Sequence, residues 1–379
     1  MRVLYLLDSL RGGGTETSVI EMLPALRERG VEPVLFTLLR HDDALASRVH
    51  ELGIEFRRFD THSWPRGLRE LHGMLKHGEF DVMHTALIWS DLIGRALAVG
   101  TDIAVVTSLV NSSYGPEHRA NSKYGPLAVR ALQGLDALAS RRTNVFHAIS
   151  HEIAALMTRR LHLRPDRIEV VYRGRDPERL GSRTPERRVT TRAKLGIGAD
   201  VPLVLCVARL DRQKAVDVAL RALEIVRRSL PQAQMVVAGR NGNDGARLQA
   251  IAGSMQGVRL LGHRSDVADL MCAADCLCFP SRWEGLGGTL IEALALEVPI
   301  VASDIGPIRE LLDGVGWPLA AVDDPNAFAD GIQAVLTNRV PVTSLAEHGK
   351  ARFDSHFTMA AIADEMVGLY ARAIDKARP

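Results

Sequence analysis

Short apolar runs, each followed by a stretch with apolar residues at helical spacing, recur through the whole of this chain. In the first half the runs are "VLYLLDSL", "PVLFTLL", "FDVMHTAL", "IAVVTSLV", "VFHAIS" and "IEVVYRG". In the second half they are "PLVLCVARL", "QMVVAG", "VRLLGH", "CLCFPS" and "PIVAS". Runs this brief that are apolar throughout, rather than alternating with polar residues, suit strands covered on both faces. Separated by helices, such strands predict parallel sheets in doubly wound α/β domains. The helical stretches include one from about Thr15 to Arg29, closed by Gly30, which Pro24 should kink or shorten. Others are "LRELHGMLKHG", "SDLIGRALAVG", "VDVALRALEIVRRSL", "ARLQAIAGSM" and "DVADLMCAA".

A chain of 379 residues exceeds one ordinary core, so two domains are expected. The segment "RDPERLGSRTPERRVTTRAKLGIGAD" is rich in charge, Pro and Gly and poor in apolar residues, as a linker is. The expected division is a Rossmann-like domain over 1–175, a linker over 176–200, and a second Rossmann-like domain over 201–355. A late amphipathic helix over 356–379 is expected to return to the first domain. The two domains should face each other across a cleft. In open α/β sheets, ligands bind beyond the carboxyl ends of the strands.

Composition bounds the function classes. At 46% hydrophobic and 24% charged, the chain reads as a soluble globular protein. No apolar run approaches the ~18–20 residues of a membrane span, and the start lacks the small-residue cleavage site of a secretory signal. A formal net charge of +2 gives no electrostatic footprint for nucleic acid. Residues 1–190 hold 27 Lys/Arg against 23 Asp/Glu, a weak excess that reads first as solvated surface charge and also allows approach to an acidic substrate or peripheral association with an anionic membrane. Cys206, Cys272, Cys276 and Cys278 form no metal-ligand spacing, and "CAADCLC" reads as buried thiols. No metal and no cofactor are expected.

Three loops carry the chemistry. After the first strand, "RGGGTE" sets Gly12, Gly13 and Gly14 before a helix N-terminus, where backbone N–H groups favour a phosphate. It is a poor dinucleotide fingerprint, because Thr17 stands where the third glycine belongs. After the first strand of the second half, "ARLDRQKAVD" brings Arg209 and Lys214 to a strand end, a pair of cations suited to a diphosphate. Finally, "FPSRWEGLGGTLIEALALEVPIVASD" places Glu284 before a glycine hinge and Glu292 inside the helix that follows. Gly287, Gly288 and Thr289 would offer N–H groups to phosphate oxygens there. A carboxylate beside that phosphate would suffer repulsion. Glu284 and Glu292 therefore suit hydroxyl donors, a sugar and a ribose diol.

"EGLGGTLIE" resembles the E-x7-E signature of the retaining nucleotide-sugar glycosyltransferases of family 4, with the two-Rossmann GT-B fold. "VARLDRQKAVDVALRAL" and "VRLLGHRSDVADLMCAADCLCFPSRWEGLGGTLIEALALEVPIVASDIGPIREL" resemble that family's donor-binding half. "LDSLRGGGTETSVIEMLPALRERG" more loosely resembles its glycine loop and first helix. The resemblance implies that Arg209 and Lys214 bind the donor diphosphate, Glu292 the nucleotide ribose and Glu284 the transferred sugar. It implies Gly239 and Leu290 in the donor site as well, with the backbone of Gly262–Arg264, including His263, near the base. Gly13 and Gly14 would approach the distal phosphate. Three positions depart from the family pattern. The loop "TSLVNSSYGPEH" lacks the His usual in relatives, leaving Asn111 as the nearest polar side chain. "VMHTALIWSD" offers His84, with Ala86 where a second His is common. "VVYRGRDPERL" carries Arg173 and Arg175 where relatives have Asn-Gly.

The expected activity is retaining, metal-independent transfer from a nucleotide diphosphate sugar, most commonly UDP in this family, to a hydroxyl of a glycan, lipid-linked sugar or small molecule. His84 and Asn111 are the candidates on the acceptor or sugar side, and the acceptor loop is Asn111–Tyr124, with His62 and Trp64 near it. Alternatives are a nucleotide-sugar-binding protein without turnover, a GT-B epimerase, and a nicotinamide dehydrogenase, the last disfavoured by the missing glycine.

Overall fold

The computed structural model describes residues 1–39, 44–59, 63–116, 119 and 125–378. His62 lies outside the described residues, as do 117, 118 and 120–124 of the expected acceptor loop. The chain forms two compact units, Met1–Gly174 with Met359–Pro379, and Arg175–Thr358.

The first unit holds strands β1 (Arg2–Leu7), β2 (Glu32–Thr37), β3 (Glu55–Arg58), β4 (Val82–Ala86), β5 (Ala104–Leu109), β6 (Val145–Ala148) and β7 (Ile168–Val170). They pair in parallel in the order β3-β2-β1-β4-β5-β6-β7. The second unit holds β8 (Leu203–Val207), β9 (Gln234–Ala238), β10 (Val258–Gly262), β11 (Cys276–Phe279), β12 (Ile300–Ser303) and β13 (Leu319–Ala320). They too are parallel, in the order β10-β9-β8-β11-β12-β13. Both are doubly wound α/β sheets. In each, the strand order reverses beside the first strand, between β1 and β4 and between β8 and β11. That switch point is where chain connections diverge and leave a crevice. It brings together the loop after β8, with Arg209 and Lys214, and the loop after β11, with Glu284.

Alternation along β1 builds a core on each face of its sheet. Val3, Tyr5 and Leu7 pack with Val19, Leu23 and Leu26 of the helix Gly14–Arg27 and with Ile362, Met366, Leu369 and Tyr370 of the helix Met359–Ala377. Leu4 and Leu6 pack on the other side with Val34, Phe36, Leu71 and Met74. Pro24 lies inside the helix Gly14–Arg27, which ends three residues beyond it. Trp64 opens the helix Trp64–Lys76, its ring 4.7 Å from that of Phe59.

The segment 176–200 is not a linker. It folds into helices Pro177–Leu180 and Pro185–Lys194, both within the second unit. The cause is arginine. Arg188 Nη1 and Arg192 Nε donate to Ala273 O at 3.0 and 2.9 Å, and Arg183 Nη2 donates to Ala274 O at 2.9 Å. These carbonyls end the helix Val267–Ala273 and have no partner within it, so cations there complete it. Asp275 receives both Arg188 and Arg192, at 2.6 and 2.7 Å, and Arg187 pairs with Asp269 at 2.5 Å. The charge that reads as a solvated tether is spent on internal bonds.

A buried chain of hydrogen bonds crosses the first unit. Tyr5 meets Tyr370, whose hydroxyl lies 2.7 Å from His84 Nδ1. His84 Nε2 is 2.7 Å from Ser108 Oγ, Ser108 Oγ is 2.8 Å from His147 Nδ1, and His147 Nε2 is 2.9 Å from Val171 O. The last link fixes the rest. A carbonyl only accepts, so His147 Nε2 donates, and in the neutral imidazole its Nδ1 then accepts from Ser108. His84 Nε2 then donates to Ser108, its Nδ1 accepts from Tyr370, and Tyr370 accepts from Tyr5. Both imidazoles are neutral in this arrangement. Burial acts the same way, holding His147 down to about 4 and His84 well below its ordinary value. Tyr370→Phe removes one hydroxyl and strands two buried partners, Tyr5 Oη and His84 Nδ1. We expect a loss of about 1–3 kcal/mol in urea unfolding. An unchanged unfolding midpoint would deny these bonds any energetic weight.

Candidate functional site

In the second unit, the site begins with a close backbone approach. The loop leaving β8 passes over Gly239, where a Cβ would overlap the Ala208 carbonyl oxygen. Ala208 N donates to Ala238 O at 2.9 Å and Gly239 N donates to Gly262 O at 2.8 Å, so the ends of β8, β9 and β10 are tied side by side. Arg209 emerges next, 55% exposed, and pairs with Asp211. Asp211 is buried and accepts from Asn243 N at 2.8 Å, which fixes the carboxylate that holds Arg209. The turn Arg212–Lys214 follows and ends on Ala215, a left-handed residue with φ +47°.

Lys214 Nζ donates to Glu284 Oε1, and the ammonium lies 5.7 Å from the centre of the Phe279 ring. The two loops are also joined through their chains. Arg282 N donates to Gln213 O at 2.8 Å, and Gln213 Nε2 donates to Trp283 O at 2.9 Å. The register of Lys214 against Glu284 is therefore set by backbone bonds as well as by the ion pair. Below them, burial pushes the Cys206 thiol up to about 12, and all four cysteines are buried and unpaired. Among the described residues, no group of three His, Cys, Asp or Glu side chains gathers as a metal site.

Beyond Glu284 the chain turns through Gly287, φ +101°, a conformation only glycine adopts without strain, and enters the helix Gly288–Ala295. Thr289 and Leu290 occupy its first turn. Glu292, one turn in, accepts from Arg175 Nε at 2.7 Å. Both side chains are partly exposed, at 12% and 22% for Arg175 and Glu292, so the carboxylate is oriented without being sealed in. A Cβ on Gly288 would strike the Arg175 guanidinium. Arg175, read in the sequence only as a cation beside the boundary, is thus the side chain that aims Glu292. After β10, His263 is exposed, and Arg264 forms an ion pair with Asp266 that includes a 2.8 Å bond and holds the Asp266 carboxyl below its usual range.

In the first unit, the glycine loop carries its own carboxylate. Glu16 is buried and folds back over Gly13, where a Cβ would collide with it. Burial, with Asp8 nearby, raises its pKa, and Arg173 acts in the opposite sense. Arg173 itself donates to Gly14 O at 3.3 Å and to Thr15 Oγ1 at 3.2 Å. The helix start after Gly13 and Gly14 is therefore already lined by an acid and a cation.

His84, expected on the acceptor or sugar side, is 2% exposed with both nitrogens engaged inside the unit. It only floors a small pocket of ≈ 30 Å³, with Ser108, His147, Thr15 and Arg173. Asn111 is exposed and accepts from Ser113 Oγ. The structure thus places Arg209, Lys214, Glu284 and Gly287 on the loops after β8 and β11, and Gly288 and Glu292 on the helix that follows, all in one unit. It turns His84 into a satisfied interior residue.

Comparison with known proteins identifies the family. Residues 12–179 match the family described as Glycosyltransferase Family 4, and residues 201–338 match Glycosyl transferases group 1. The chain is 29% identical to the D-inositol 3-phosphate glycosyltransferase of Xylanimonas cellulosilytica, across 97% of this chain and 93% of that protein. It is 28% identical to the lipopolysaccharide core biosynthesis mannosyltransferase LpsB of Rhizobium meliloti, across 53% of this chain and 60% of that one. Among solved structures, Anabaena HepE in complex with UDP-glucose has the same fold, with a TM-score of 0.83 at 20% identity over 97% of this chain and 98% of HepE. Matched in both halves by models of these enzymes, the chain belongs to the group 1 glycosyltransferases of family 4, enzymes that transfer a sugar from a nucleotide-sugar donor.

Proposed function

We propose that the protein is a retaining glycosyltransferase that uses a UDP-sugar and needs no metal ion. The observation that carries this reading is the junction of the β8 and β11 loops, where Lys214 and Glu284 are paired beside Arg209 and the glycine-opened helix start. Two cations and a set of N–H groups suit a diphosphate, and the acids suit hydroxyls. The bond from the anomeric carbon to the phosphate oxygen breaks, and charge accumulates on the departing diphosphate. Lys214, Arg209 and the helix N–H groups stabilise that charge from fixed positions. The new bond forms from the acceptor oxygen to the same carbon, and the acceptor proton passes to a phosphate oxygen. No separate base is needed.

Glu284 would hold a hydroxyl of the transferred sugar while sharing Lys214 with the phosphate. Glu292, aimed by Arg175, would accept from the ribose diol. The choice of UDP follows the HepE structures with UDP and UDP-glucose and the pneumococcal O-GlcNAc transferase with UDP and GlcNAc. The acceptor class follows relatives named for inositol 3-phosphate and lipopolysaccharide core, which are polyols and glycans.

The test is a thermal-shift panel of nucleotide sugars followed by product detection with polyol and glycan acceptors. A UDP-sugar at about 100 times its Kd should add about 2.7 kcal/mol of stability, and GDP-sugars should add less. EDTA should leave product formation unchanged. Preference for a GDP-sugar would overturn the choice of base, and activity lost to EDTA and restored by a divalent ion would overturn the metal-free reading.

A further inference from the structure

The helix Pro126–Ala139 of the first unit is inverted relative to an ordinary surface helix. Its polar contacts point inward. Asp136 is buried and receives Arg95 at 2.5 Å and the Tyr114 hydroxyl at 2.8 Å, and Gln133 donates to Arg160 O at 2.7 Å. Three of its four leucines point outward. Leu127 is 80% exposed, Leu135 53% and Leu138 58%, and Ala128 and Ala131 are exposed with them. Positions 127, 131, 135 and 138 follow helical spacing, so these side chains form one stripe on the face opposite Val129 and Asp136. An exposed apolar stripe of this kind, on a helix anchored by a buried ion pair on its other side, marks an interaction surface.

Charge identifies the partner. Arg130 within the helix and Arg141 just past it are exposed and make no ion pair among the described residues. Arg119 reaches Gln133 Oε1 at 3.4 Å, and Arg159 stands exposed on the adjacent helix His151–Leu161. The helix shows no exposed acid, its only carboxylate being the buried Asp136. Leucines flanked by exposed arginines fit an anionic lipid surface, where the apolar stripe enters the acyl boundary and the guanidinium groups meet the headgroups.

We infer that the helix Pro126–Ala139 docks this enzyme onto anionic membrane surfaces through Leu127, Leu135 and Leu138, with Arg130 and Arg141 on lipid phosphates. The helix belongs to the first unit and the proposed donor residues to the second, so failure to bind vesicles would leave the proposed transfer reaction standing.

The full chain should sediment with vesicles of phosphatidylcholine plus phosphatidylglycerol and remain in solution with phosphatidylcholine alone. Leu127→Ser with Leu135→Ser should weaken binding by roughly 10-fold for each leucine, and Arg130→Gln with Arg141→Gln by about 5-fold for each arginine. Thermal midpoints should not move, because all four side chains are exposed. Leu135→Trp gives a readout free of any folding loss, since its fluorescence should shift to the blue and be quenched by brominated lipid only with anionic vesicles. The inference is overturned by equal binding to both vesicle types, by no binding to either, or by serine variants that bind like the parent. It is also overturned if light scattering shows a dimer that the serine variants split, which would assign the stripe to a second copy of the chain.

Discussion

Lys214→Ala should lower kcat/KM by about 10²–10³, the usual cost of removing one preorganised donor from a developing oxyanion, roughly 3–4 kcal/mol. The structure adds a second effect. Lys214 donates to Glu284, whose side chain is only 9% exposed, so alanine leaves that carboxylate without its cation. Part of any activity loss would then come from a displaced Glu284. Lys214→Ala combined with Glu284→Gln isolates the stability cost of that orphaned carboxylate. The neutral amide no longer requires a cation, so the double variant should recover about 1–2 kcal/mol of stability and stay inactive. Lys214→Arg keeps the charge but replaces a compact ammonium with a planar fork, and should retain donor binding better than turnover. The measurement is steady-state kinetics with the preferred UDP-sugar, paired with urea unfolding of each variant. Near-normal turnover in Lys214→Ala would remove the central element of the proposed site.

The donor-side loops were legible because their chemistry is local. A cation pair following an apolar strand, and two acids around a glycine hinge, each lie within a few residues and can be read as a candidate site without long-range contacts. Doubly wound topology then brings the loops together, since β8 and β11 are neighbours at the point where the strand order reverses. What the sequence hid depends on partners far along the chain. Arg175 lies 117 positions from Glu292, and no pattern near either announces the bond. His84 looks like a strand-end histidine free to meet a ligand. It is taken by Tyr370, 286 positions away, and by Ser108. The 176–200 segment misleads for a related reason. Composition cannot tell an arginine in water from Arg192, which is 2% exposed and bonded to Ala273, Gly198, Ala199 and Val201 carbonyls. The edge strand β3, "EFRR", lacks the apolar run of its neighbours because it pairs on one side only. The sequence reading assigns no element to residues 126–139, where the structure forms the outward-apolar helix.

Gly239→Ala should be the most damaging single-methyl change in the second unit. The sequence suggests this glycine only as part of a donor-binding loop, and the structure gives the physical reason it stands there. Its missing Cβ is the space through which the Ala208 carbonyl passes, and that oxygen belongs to backbone, not to the flexible end of a side chain. Relief requires moving the chain. The Ala208–Ala238 and Gly239–Gly262 bonds would have to lengthen, and Arg209, next in sequence, would move with its peptide. We expect a loss of about 2–4 kcal/mol, a fall in Tm of roughly 5–15 °C. A shift of about 1 Å at Arg209 should cost on the order of 10²-fold in rate. The contrast is Gly253→Ala, within the helix Gly245–Gly253, where nothing lies near an added Cβ and alanine is the better helix former. That variant should gain stability by about 0.5–1 kcal/mol and keep full activity. If Gly239→Ala melts and turns over like the parent, the β8 loop does not depend on that close approach. The positioning of Arg209 would then need another cause.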